Sequence, residues 1–117
     1  MAEVAPDRPR TAAHVNLLRR HNMYLMQHLQ PMVNEIVYKM LQENQLTQDQ
    51  SDRILQQETP DGSVAILLSI IQVGDRQMFF GFLQALRQLQ CDDVLEVLIH
   101  DPLGEINEAE VFPEVDN

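Results

Sequence analysis

The sequence predicts an all-α fold, an antiparallel bundle of six short helices. Three observations predict it. Apolar residues recur at helical spacing in six successive segments. Strand-like alternation of apolar and polar residues occurs nowhere in the chain. Short breaks carrying Pro, Gly, Asn or Thr separate the segments, so neighbouring helices pack against one another across brief loops.

Residues 1–11 hold Pro6 and Pro9 and read as a flexible arm, with Thr11 as an N-cap. Val15, Leu18, Leu25, Met26 and Leu29 form the apolar face of the first helix. Pro31 opens the second, whose face is Met32, Val33, Ile36, Val37, Met40 and Leu41, and Asn44 stops it. Thr47 caps a short third helix, with Gln50 three residues on as its capping-box partner and Ile54 as its buried residue. Thr59-Pro60-Asp61-Gly62 reads as a turn. The fourth helix carries Val64, Leu67, Leu68 and Ile71 and breaks at Gly74-Asp75. The fifth carries Phe79, Phe82, Leu83 and Leu86, and a break near Gln90 leads to the sixth, with Val94, Leu95, Leu98 and Ile99. The folded domain is therefore expected over 12–101. Residues 102–117 are acidic and poor in core-forming residues; they are expected to be a disordered tail or linker that buries little.

Net charge is −10 over 117 residues, unevenly spread. Residues 12–100 hold ten acids and six basic residues, whereas from Asp101 onward there are six acids and no Lys or Arg. Such a surface repels nucleic acid and anionic membranes, so neither is expected as a partner. No apolar run approaches the roughly 20 residues that span a bilayer. Cys91 is the single cysteine, which precludes an internal disulfide. A soluble, cytoplasmic protein is the expectation.

Three segments, in this order, resemble a known family. Leu17-Leu18-Arg19-Arg20-His21 opens the domain, and the run from Val33 to Thr47 follows, ending in a leucine, a short loop and Leu46-Thr47. Leu67-Leu68 then precedes Phe79-Phe80-Gly81-Phe82-Leu83-Gln84-Ala85-Leu86. The set resembles the caspase recruitment domain (CARD) family of the death-fold superfamily, over about residues 14–100. A pyrin or death effector domain is the sister alternative. The resemblance implies a six-helix death fold and homotypic recruitment in apoptotic or inflammatory signalling, with CARD-containing caspases, adaptors or receptors as partners. Departures exist: Asp75 follows Gly74 where many members place Gly, Met78 replaces a small residue, and Ala65 and Ile66 stand where many members carry Arg or Lys.

In that family a basic patch on helices one and four meets an acidic patch on helices two and three of a partner. Arg20 falls on such a basic position and Arg19 is adjacent. Glu35, Glu43, Asp49 and Asp52 are the candidates for the acidic counterpart, against the plainer reading of solvated helix faces. Ile66, where a charge is usual, is a candidate apolar contact. His14, His21 and His28 recur every seven residues, about 10.5 Å along a helix, too far for two of them to share one metal ion. Cys91 lacks any nucleophile signature, no acid pair has a catalytic context, and no cofactor motif exists, so no enzyme is expected. Pro113-Glu114-Val115-Asp116-Asn117 is a candidate processing site for a protease that cleaves after Asp. Three rival readings stay open: a CARD-only decoy that blocks assembly, a plain helical scaffold domain, and a metal- or pH-sensing helical protein built on the histidine stripe.

Overall fold

The computed structural model describes residues 13–101 together with 106, 111 and 112. The arm before Ala13, its Thr11 cap and the Asp116 processing motif lie outside the described residues. The described residues include the α-helices α1 (Ala13–Arg20), α2 (Asn22–His28), α3 (Val33–Gln42), α4 (Gln48–Leu55), α5 (Pro60–Val73), α6 (Arg76–Gln88) and α7 (Asp92–Ile99). Among the described residues there is no strand. The expected first helix is α1 plus α2, divided where His21 takes φ −105° and ψ 19°. Hydrogen bonds still cross the division, from His21 N to Leu17 O at 3.2 Å and from Leu25 N to His21 O at 2.9 Å. It is a kink in one helix, and the remaining five expected helices follow as α3 to α7.

Local chemistry sets the helix ends. A 3-10 turn at Gln30–Met32 leads into α3, with Pro31 supplying its preset φ. At the end of α3, Asn44 turns left-handed at φ 62°, Gln45 N reaches Met40 O and Asn44 N reaches Leu41 O. That pair of bonds is a Schellman motif. Thr47 and Gln50 form the expected capping box at α4. The expected turn at 59–62 is instead the first turn of α5: the Thr59 hydroxyl accepts from Gly62 N, and Pro60 sits at the helix start, where its missing N–H leaves no bond unmade. Asp75 caps α6 by accepting from Met78 N at 3.0 Å. A second Schellman motif closes α6 at Gln90, φ 63°, with Cys91 N bonded to Leu86 O at 2.8 Å.

The centre of the bundle is α5, which packs against α1, α2, α3, α4 and α6. It buries Val64, Leu67, Leu68, Ile70 and Ile71, more of its circumference than a one-sided helix would. Around it close Leu17, Leu18, Leu25, Leu29, Ile36, Met40, Ile54, Phe79 and Phe82. Ser63 Oγ donates to Ile54 O at 2.8 Å, tying the end of α4 to the start of α5. A side chain at Gly81 on α6 would run into the Gln45 side chain, so glycine there lets that side chain lie against the helix.

The tail departs from its expectation where it is described. Val111 and Phe112 are buried and belong to the hydrophobic core, and Ile106 packs against it. Gln84 Nε2 donates to Val111 O at 2.7 Å, and the Arg87 guanidinium lies 4.7 Å from the centre of the Phe112 ring. Two adjacent apolar residues and one cation–π contact hold this segment, despite the acids on either side of them in sequence.

Candidate docking faces

Arg19 and Arg20 close α1, where cations complement the negative end of the helix dipole. Arg19 is exposed and makes no ion pair among the described residues. Arg20 Nε lies 3.1 Å from Asp101 Oδ2, and His21 Nε2 lies 2.7 Å from the same oxygen. The Asp101 side chain is only 7% exposed, against 35% for Arg20. The chain just past α7 is thus pinned to the α1–α2 kink. This contact joins residues 81 apart, and periodicity carries no sign of it.

The four acids are exposed. Glu35 lies in the first turn of α3, and Glu43 caps its other end, about 12 Å along the axis. Burial first, then the charges of Asp92 and Glu35, push the Cys91 thiol above its ordinary pKa. At the start of α7, Asp92 and Asp93 line a cleft with His28, Met32, Gln90, Cys91 and Val94. Asp49 and Asp52 share a face of α4 by their spacing of three, and Asp52 accepts from Gln48 Nε2 at 3.0 Å.

Ile66 is half-buried against the core, so it offers a partner less than its sequence position suggests. The large apolar side chains that stand in solvent are Val73 at 85%, Met23 at 76% and Tyr38 at 57% exposure. Sequence reasoning missed all three. Val73 ends the most apolar helix, and Met23 and Tyr38 lie off the apolar faces read from the spacing.

The histidines part company. His14 is buried and stacks on Phe79 with ring centroids 5.2 Å apart. His21 pairs with Asp101, and the exposed His28 stacks on Tyr24 at 4.1 Å. No group of three His, Cys, Asp or Glu among the described residues is placed to hold a metal ion. No helix among them is long and apolar enough to cross a membrane.

An all-helical bundle whose distinctive surface features are charged faces and a few exposed apolar side chains defines a protein-interaction module. The family model for the caspase recruitment domain matches residues 15–100, and the chain belongs to that family. Caspase recruitment domains are death-fold bundles that bind other CARD-containing proteins. Comparison with curated proteins returned no match, and neither did comparison with solved structures.

Proposed function

We propose that this chain is a recruitment module of apoptotic or inflammatory signalling, acting in the cytoplasm as an adaptor, caspase prodomain or receptor module. Its basic face at Arg19 and Arg20 docks onto acids at the α3–α4 end of a partner CARD, Glu43, Asp49 and Asp52 being the equivalent acids on this chain. The observation that carries the reading is Arg19, an exposed guanidinium with no ion pair among the described residues, beside the kink in the first helix of a CARD. Opposite charges on separate parts of one domain permit head-to-tail contacts, which propagate instead of closing. Docked modules then raise the local concentration of the effectors they carry.

Capture experiments with a panel of purified CARDs at low salt test this. The reading expects capture by a subset with acidic second and third helices, lost on Arg19→Glu. Uniform failure across the panel, with the fold intact by circular dichroism, would remove the recruitment reading and leave a scaffold domain.

A further inference from the structure

We propose that Asp101 is an intramolecular stand-in for the partner's acid, so that the basic face is self-capped until a docking carboxylate displaces it. The inference rests on the basic-face reading above and adds its regulation. Asp101 Oδ2 sits 3.1 Å from Arg20 Nε and 2.7 Å from His21 Nε2, the kind of charge-assisted contact a partner's Asp or Glu would make. The Asp101 side chain is nearly buried while Arg20 stays a third exposed, so the acid is seated in the face and the guanidinium can still be reached. Arg19, one residue away, remains outside the contact and serves for first encounter.

The segment beyond Asp101 is held at a second point. Val111 and Phe112 are buried against α6, where Gln84 binds the Val111 carbonyl and Arg87 covers the Phe112 ring. Asp101 and the Val111-Phe112 pair are thus two separate contacts with the bundle, and Asp101 is the one at the basic face. A face occupied by its own acid is competent for only a fraction of the time, and the apparent dissociation constant rises by the inverse of that fraction.

The test is self-association of the full chain at about 50 mM salt, followed by sedimentation, with the second copy as the acid-bearing partner. Asp101→Asn keeps the shape and removes the competing charge. It is expected to tighten association by up to about fivefold, the range in which partly exposed ion pairs act. His21→Gln, which weakens one of the contacts holding Asp101 and leaves both Arg20 and Asp101 in place, is expected to tighten it in the same direction. This second variant covers the case in which Asp101→Asn fails to fold. Arg19→Glu separates the two ideas. If it weakens association while Asp101→Asn and His21→Gln leave it unchanged or weaker, the basic face stands and the self-capping is overturned. If Arg19→Glu and Arg20→Glu change nothing in the Asp101→Asn background, the basic face is not a docking surface and both ideas fall.

Discussion

His14 is a titratable ring enclosed in the core, and its energetics differ from those of a surface histidine. It is 4% exposed, and neither ring nitrogen has a hydrogen-bond partner among the described residues. Burial holds its pKa below the ordinary histidine value; the nearby backbone of Ile71 and Gly74 opposes this only in part. The unfolded chain therefore takes up a proton as pH falls through about 6.5, where the native state still refuses it. Stability contributed at this site is full above pH 6.5 and is lost as pH drops below it. Urea midpoints at pH 7.5 and pH 5.5 should fall more steeply for the native chain than for His14→Leu. Equal falls in the two would show that His14 is already paired or charged in the folded state. Backbone strain is the other residue-scale feature. Gln90 takes φ 63° at the end of α6, a conformation costing a side-chain-bearing residue about 1–2 kcal/mol. Gln90→Gly gives part of that back in unfolded-state entropy, so a net gain of up to about 1 kcal/mol is expected in chemical denaturation. A loss would mean that the Gln90 side chain makes a stabilising contact of its own.

At the level of elements, the tail contributes through a small anchor. Phe112 is 6% exposed against α6, and Phe82 is fully enclosed on the same helix. Phe82→Ala should cost about 3–5 kcal/mol, as a cavity in a packed core does. Phe112→Ala should cost about 1.5–3 kcal/mol, the transfer free energy of one such side chain at a site able to collapse. No change on Phe112→Ala, measured by the same denaturation, would detach the tail from the fold. The elements differ in how far the chain announces them. The Thr47 capping box, the Asn44 stop and the Phe79–Phe82–Leu86 face are local patterns, and each stands where its spacing places it. The kink at His21 was hidden because the apolar spacing runs through it almost unbroken. Val111-Phe112 escaped because two adjacent apolar residues among acids have no period. The Asp101 contact joins chain positions that no local rule connects.

For the molecule as a whole, the charge distribution decides which surfaces attract one another. The cation at the end of α1 and the carboxylates on α4 belong to separate helices, each of which packs against α5. The sequence displayed the signs of these charges but not their grouping, because the helix that carries each acid is a local pattern whereas the packing of α3 on α4 is not. Arg19 is the sharpest probe of the faces, since its reversal breaks no ion pair among the described residues. The measurement is the dissociation constant for a captured CARD partner, native chain against Arg19→Glu, across salt from about 0.05 to 0.5 M. Like charges forced together across a contact cost several kcal/mol, so binding should weaken at least about tenfold at the low end. The gap should narrow as the screening length shortens to a few ångströms at high salt. Equal constants for the two chains at low salt, with unchanged helical circular dichroism, would contradict docking through the basic face.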